Sequence, residues 1–268
     1  MISEEALAAL IAAGRAVAVT VSNVRGSTPR EAGAWMVVGG TSILGTIGGG
    51  QLEFEAIARA RQMLDDGAAS EAMDIALGPS IGQCCGGRVE LELTIVDGEL
   101  EAALRQRIAD ERNTRAHVYL FGAGHVGRAL AASLALLPLQ VVVVETRPDE
   151  LRDLPDVVTA HLTPLPEAIV DGAPSRSAFV VLTHDHALDF LIVRAALQRE
   201  DAAYVGMIGS ATKRATFEAE FRRSGGTVDQ TARLTCPIGA KLADKRPEVI
   251  AALVAAELTM ALLGQKAG

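Results

Sequence analysis

His117-Val118-Tyr119-Leu120-Phe121-Gly122-Ala123-Gly124-His125-Val126-Gly127 constrains the fold of this chain more than any other stretch. A short apolar run stops at a glycine, three glycines follow at G-x-G-x-x-G spacing, and a helical pattern over residues 128–137 begins at once. Val141-Val142-Val143-Val144 then ends in Glu145, near the offset of about 20 residues at which a ribose-binding acid belongs. Each part has a physical task. Gly122 permits the tight turn, Gly124 lets the backbone approach a pyrophosphate, and Gly127 lets the helix pack closely on its strand. The N–H groups of the helix start at His125 then face the phosphates. Strand, glycines, helix and acid together specify a Rossmann-type βαβ unit. Such folds host many activities, so this fixes a fold element and leaves the function open.

The rest of the second half continues the alternation. Strands are expected at 118–121, 141–145, 178–182 and 203–208, with helices at 128–137, 188–199 and 211–223 and a Pro-rich stretch after Glu145. Such alternation means a doubly wound parallel sheet. A last helix starts near Pro247 and stops at Gly264, as start and stop signals require. The first third reads differently: strands at 16–21, 34–38 and 42–47, a helix at 51–64, and a strand at 88–96 whose alternation implies one wet face. A polar helix at 99–113 is expected to act as a bridge. The fold class is therefore α/β, with a smaller mixed α/β N-terminal domain (1–113) and a C-terminal Rossmann-like doubly wound parallel sheet (114–268).

Composition bounds the function. Apolar residues make up 49% of the 268 and aromatics 3%, which suits parallel sheet covered by Ala-rich helices. Lys and Arg number 25 against 33 Asp and Glu, a net charge of −8, and no basic stripe offers nucleic acid a footprint. No apolar run approaches the roughly 18 residues of a membrane span. The start, Met1-Ile2-Ser3-Glu4-Glu5, lacks a signal-peptide pattern, and the three cysteines make no disulfide framework. A cytoplasmic location is the expectation.

Cys84-Cys85, within Gly82-Gln83-Cys84-Cys85-Gly86-Gly87, is the most unusual pair. Adjacent cysteines do not match the C-x-x-C spacing of structural zinc, and a vicinal disulfide would be strained. A free cysteine is often core, but these permissive and polar neighbours expose the backbone, and a thiolate there can bind a soft metal or carry sulfur. Arg25-Gly26-Ser27-Thr28-Pro29-Arg30 offers two guanidinium groups and two hydroxyls in one loop. Gly48-Gly49-Gly50 opens a helix, a further anion cradle; either loop alone is equally the chemistry of a turn. Beside the thiol loop, they suggest a pocket for an anionic ligand with a soft centre.

At the carboxyl edge of the predicted parallel sheet, His184-Asp185-His186 follows one strand, and Gly206-Met207-Ile208-Gly209-Ser210 ends another. Doubly wound sheets bind ligands at that edge. The first offers a metal pair or a general base or, at its blandest, an Asp helix cap; with Asp189 the one acid close by in sequence, it shows no full metal set. Ser210 either caps the next helix or, with Lys213 and Arg214, contacts an anion. Cys236 reads as packing.

Taken together, these residues resemble the XdhC/CoxI family, the accessory proteins of xanthine dehydrogenase and related molybdenum hydroxylases. The resemblance spans nearly the whole chain. It rests on Arg25 to Arg30, Gly48-Gly49-Gly50-Gln51-Leu52-Glu53, Gly82 to Gly87, Gly122 to Gly127, Thr183-His184-Asp185-His186, Gly206 to Ser210 and Pro237-Ile238-Gly239, in the family's order. It implies a chaperone that binds the molybdenum cofactor (molybdopterin, or a dinucleotide form of it), protects it during sulfuration by a cysteine desulfurase, and delivers it to the apo-hydroxylase. By that reading Cys84 or Cys85 approaches the molybdenum or its sulfur. The Gly48 loop and Arg25 or Arg30 lie near the phosphate, and the Rossmann half holds NAD, another nucleotide or the dinucleotide form. A homodimer is expected.

Two departures stand out. Glu145-Thr146-Arg147 replaces the family's Asp-Asp-Arg-like run, and Ala211 stands where a basic residue is usual. Glu145 retains the chemistry to bind a ribose diol and disfavours a 2′-phosphate, so a nicotinamide ligand would be NAD. Two other classes of function remain open at this point. One is an NAD-dependent oxidoreductase with His184 or His186 as acid–base, and the other is a nucleotide-sensing module.

Overall fold

The computed structural model describes residues 2–78, 86–239 and 244–264. They divide into two units at the junction of Asn113 and Thr114.

The first unit runs α1 (Glu4–Ala12), β1 (Ala16–Arg25), β2 (Trp35–Gly39), β3 (Ile43–Gly45), α2 (Gly50–Asp66), β4 (Ser70–Ala76), β5 (Arg88–Ile95) and α3 (Gly98–Asn113). Its five strands form an antiparallel sheet in the order β3-β2-β1-β5-β4. Alternate residues of β1 go to opposite faces, as strand geometry demands. Val17, Val19 and Val21 pack with Leu52, Ala56, Ala60 and Met63 of α2, a stripe at helical spacing. Each fully buried Leu or Met there is worth about 1.5–3 kcal/mol. Ala16 and Ala18 pack on the other face with Leu7 and Leu10 of α1 and Leu104 and Ile108 of α3. The polar α3 is therefore no free bridge; two apolar residues one turn apart anchor it. In β5, Val89, Leu91 and Leu93 are buried while Arg88 and Glu92 are exposed, the alternation that the sequence shows.

The second unit runs β6 (Ala116–Phe121), α4 (His125–Leu134), β7 (Leu139–Glu145), β8 (Thr159–Leu162), β9 (Ala178–Val181), α5 (His186–Gln198), β10 (Tyr204–Met207), α6 (Ala211–Arg223), α7 (Val228–Ala232), β11 (Leu234–Thr235) and α8 (Pro247–Leu263). The Pro-rich stretch holds β8 and two short 3-10 turns, Pro148–Leu151 and Pro166–Ile169. All six strands are parallel, in the order β11-β10-β9-β6-β7-β8. Counted from β6, this is the doubly wound 3-2-1-4-5-6 order, which reverses between β6 and β9. One face packs Val118, Leu120 and Val180 against Leu130, Leu134, Val254 and Leu258 of α4 and α8. The other packs Phe121, Phe179 and Val181 against Ile192, Phe217 and Phe221 of α5 and α6. With both faces covered, the strands read as continuous apolar runs, and the ligand edge is left to the loops.

Gly122 is where β6 must turn. Its φ of 112° suits glycine, its N–H donates to Val144 O at 2.9 Å, and a Cβ there would lie 2.5 Å from Leu182 O and 3.1 Å from Thr183 Cα. A Cβ on Gly127 would overlap the Gly122 carbonyl oxygen, whereas one on Gly124 would meet nothing within 4 Å. Gly127→Ala should therefore cost about 1–3 kcal/mol by overpacking, and Gly124→Ala, which has room for its methyl but replaces the α4 N-cap, should cost less, at most about 1 kcal/mol. Thermal or urea unfolding of the two variants checks this; equal losses would contradict it.

Candidate functional site

In the first unit three motif loops converge. Ser27 makes an isolated parallel bridge with Gly86. A Cβ on Gly87 would overlap the Ser27 carbonyl oxygen and lie 2.9 Å from that of Arg25. A Cβ on Gly48 would sit 2.7 Å from Pro29 Cγ and 3.3 Å from Arg30 Cγ. The Arg25–Arg30 loop thus touches both the Gly48 turn and Gly86-Gly87. Cys84 and Cys85, with Gly82 and Gln83, lie outside the described residues; Gly86 is the next residue after them. Cβ atoms on Gly49 and Gly86 would meet nothing within 4 Å among the described residues.

The loop's polar groups have different duties. Arg25 Nη2 donates to Glu90 Oε1 at 2.9 Å, and the Thr28 hydroxyl donates to Arg30 O at 3.0 Å, closing the turn. Ser27 contributes its backbone to the bridge with Gly86. Arg30 is exposed, and its guanidinium bonds to none of the described residues. The Gly48-Gly49-Gly50 turn, expected as an anion cradle, already holds an anion. Glu53 Oε2 accepts from Ile47 N at 3.0 Å and Gly49 N at 3.1 Å, and from the Thr46 hydroxyl. Burial pushes the Glu53 carboxyl up, but the Thr46 hydroxyl and the amides of Ile47, Gly49 and Gly48 outweigh it and hold it below the usual range. An incoming phosphate would have to displace this carboxylate, which leaves Arg30 as the loop's open cationic group.

In the second unit, Gly122, Gly124 and Gly127 occupy the turn and first helical turn after β6, with His125 exposed as the first residue of α4. Glu145 ends β7 beside them, 4% exposed. Its Oε2 accepts from Ala123 N at 2.9 Å and Arg147 Nη2 at 3.1 Å. Its Oε1 accepts from Thr146 N, the Thr146 hydroxyl, Arg147 N and Arg147 Nε at 2.8–3.2 Å. A carboxylate offers about four lone-pair directions, so a ribose diol would have to compete with groups of the protein itself. Burial pushes this carboxyl up. The Arg147 side chain and the amides of Ala123, Thr146 and Arg147 overcome that and hold it at about 2, against an ordinary 4.5. Arg147 also pairs with Glu150, which pairs with Arg128 of α4 at 3.0 Å.

The loops after β9 and β10 are built mainly for structure. The Asp185 side chain caps α5, accepting from Ala187 N at 2.8 Å and Leu188 N at 3.4 Å, and those two amides lower its pKa. His184 and His186 are exposed, and neither imidazole is hydrogen-bonded to a described residue, so none of the described residues orients either as an acid–base through such a bond. Ser210 caps α6 by accepting from Lys213 N at 3.2 Å. Gly206 is a packing position, because a Cβ there would lie 2.5 Å from the Tyr204 ring. Gly209 makes room for the Lys213 stem, 2.7 Å from where its Cβ would be. Cys236 is buried, and burial pushes its thiol up despite Lys213 and Arg214 nearby. Among the described residues no group of three or more His, Cys, Asp or Glu is placed to hold a metal, and no helix is long and apolar enough to cross a membrane. The sequence patterns passed over Glu53 as a ligand of its own loop and Asp189 as a buried one. The signal for the latter was a lone acid among the apolar residues of α5.

Residues 118–258 match the XdhC Rossmann domain, and residues 10–74 match the XdhC and CoxI family. The chain belongs to the XdhC family. Escherichia coli (strain K12) has a relative, the uncharacterized protein YqeB, 28% identical over 249 residues. The match takes in 87% of this chain, which spans 41% of that protein's length. A solved structure described as a xanthine dehydrogenase from Bacillus halodurans superposes with a TM-score of 0.81 at 17% identity, covering 100% of this XdhC-family chain and 97% of the other. That likeness establishes the fold.

The Glu145 carboxylate makes stability depend on acid. Its folded pKa of about 2 lies below the ordinary 4.5, so its contribution is full above the unfolded value and fades as pH falls through both. Glu145→Gln should be less stable than wild type at neutral pH and should lose less stability between about pH 5 and pH 2. Urea midpoints across that range check it; parallel pH profiles would contradict it.

Proposed function

We propose that this chain is a carrier for the molybdenum cofactor of xanthine dehydrogenase or a related molybdenum hydroxylase. The observation that carries the reading is the convergence of the Arg25–Arg30 loop, the Gly48 turn and Gly86, the residue that follows Cys84-Cys85. The cargo joins a soft metal–dithiolene centre to a phosphate. The chemistry of these loops suits both ends: the sequence puts two thiols directly before Gly86 for the soft centre, and the exposed Arg30 guanidinium is there for the phosphate. Membership of the XdhC family, and the likeness to a structure described as a xanthine dehydrogenase, support a role in maturation of that enzyme. The carrier shields the pterin while a cysteine desulfurase supplies sulfur, then hands it to the apo-enzyme, working as a homodimer.

The parallel sheet serves this role as a nucleotide site. The switch point between β6 and β9, with open space at Gly124 and the α4 N-terminus behind it, suits a diphosphate. Its ligand is NAD, another nucleotide, or the nucleotide half of a dinucleotide form of the pterin.

Protein purified without oxygen from a molybdate-fed host should carry molybdenum and pterin, read by elemental analysis and by fluorescence after oxidation. Both should fall together in the Cys84→Ala/Cys85→Ala double variant. Absence of pterin from wild type, even with free cofactor supplied, would overturn the carrier reading. Retention by the double variant would move the site away from the thiol loop.

A further inference from the structure

Asp189 is fully buried in the first turn of α5, and Lys213 of α6 is nearly so, with 10% of its side chain exposed. Their ion pair joins Lys213 Nζ to Asp189 Oδ2. The other bonds of the pair run to loop residues at the ends of neighbouring strands. Asp189 Oδ1 accepts from Thr183 N at 3.0 Å and from the Thr183 hydroxyl at 2.7 Å, and that hydroxyl in turn accepts from Asp185 N at 3.2 Å. Lys213 Nζ donates to Ile208 O at 3.0 Å. Thr183 follows β9 and Ile208 follows β10, strands that pair in parallel. The Lys213 stem reaches inward across Gly209, where any side chain would meet its Cδ.

A buried ion pair is a poor device for stability alone, because desolvation offsets most of the attraction and an apolar pair of equal volume does as well. It does provide direction and charge-assisted bonds, which are shorter and stronger than neutral ones. The direction here is specific. Thr183 Cα and Leu182 O are the atoms against which Gly122 turns, so fixing Thr183 fixes one wall of the glycine turn.

We propose that Asp189 and Lys213 are positioning residues that lock the β9 and β10 loops into one rigid edge and thereby hold the Thr183 backbone against the Gly122 turn. The inference rests on the reading of that turn as a nucleotide site and adds the parts that keep it in shape. Neither residue needs to touch the ligand. His184, next along the loop, is presented from this fixed edge while its own side chain stays unheld.

The test uses full-length protein, amide hydrogen exchange and calorimetric titration with NAD and ADP. The Asp189→Asn/Lys213→Met double variant removes both charges together and keeps an acceptor for Thr183. Thr183→Val removes the hydroxyl's bonds to Asp189 and Asp185 and leaves the ion pair in place, so it serves if the double variant folds poorly, read at residues 122–125 rather than at Asp185 itself. Both should exchange faster, by about tenfold or more, at residues 183–186, 208–210 and 122–125, with the α2 and β1 amides and the melting temperature little changed. Affinity for whichever nucleotide the wild type binds should fall by a similar factor. Unchanged exchange at those loops in both variants overturns the inference, whatever the nucleotides do. Faster exchange with unaltered affinity overturns the link to the site. Failure of wild type to bind NAD or ADP would count against the nucleotide reading instead, and the exchange result would still decide whether the pair holds the edge.

Discussion

Carboxylates that the chain keeps for itself hold its functional loops in place. Glu53 takes the amides of Ile47 and Gly49, Glu145 those of Ala123, Thr146 and Arg147, Asp189 that of Thr183, and Glu257 that of Gly239. Each is a charge-assisted bond from a loop N–H at the end of a strand. A loop carrying glycine has much backbone entropy to lose, and a fixed acceptor sets where it comes to rest. The Tyr204 hydroxyl adds to the last of these at 2.7 Å from Glu257. The same arrangement has a consequence for ligands: an anion approaching the Gly48 turn meets the Glu53 carboxylate already in residence, so a cation such as Arg30 has to supply the attraction.

Much of the architecture is legible in residue order. The glycines at 122, 124 and 127, the valine run ending at Glu145, and the alternation that follows are local patterns, and local patterns survive into the fold. What escapes is set by partners far along the chain. β4 has a single buried residue, Ile75, and exists because β5 pairs with it along its length. β8 is exposed at all four positions, and so carries no apolar signal. α1 is short and buries only Leu7 and Leu10, with Ile11 partly buried beside them. The Rossmann strand order could be expected from the motif, but the antiparallel order of the first sheet could not, because hairpin and crossover connections leave no mark in composition.

The candidate sites divide the same way. The loops at 25–30, 48–50 and 86–87 are each visible as Gly-rich or Arg-rich stretches, and only the fold brings them into contact. Roles within them are less legible still. Arg25 and Arg30 look equivalent in sequence, yet Glu90 engages one and leaves the other open. Glu145 has the position of a ribose ligand, yet spends its lone pairs on the protein, because Arg147 two residues later folds back on it. Gly209 and Ser210 resemble an anion loop and instead make way for Lys213 and cap its helix.

Cofactor carriage, as proposed, would use one small surface of the antiparallel unit, with the exposed Arg30 guanidinium as its charge. The most direct measurement is an anaerobic equilibrium titration of released molybdenum cofactor into apo-protein, comparing wild type with Arg30→Ala by pterin fluorescence. The account predicts saturable binding by wild type and about tenfold weaker binding by the variant, the scale of one lost charge-assisted contact, with an unchanged unfolding curve. Equal affinity for the two proteins, or none for either, would contradict it.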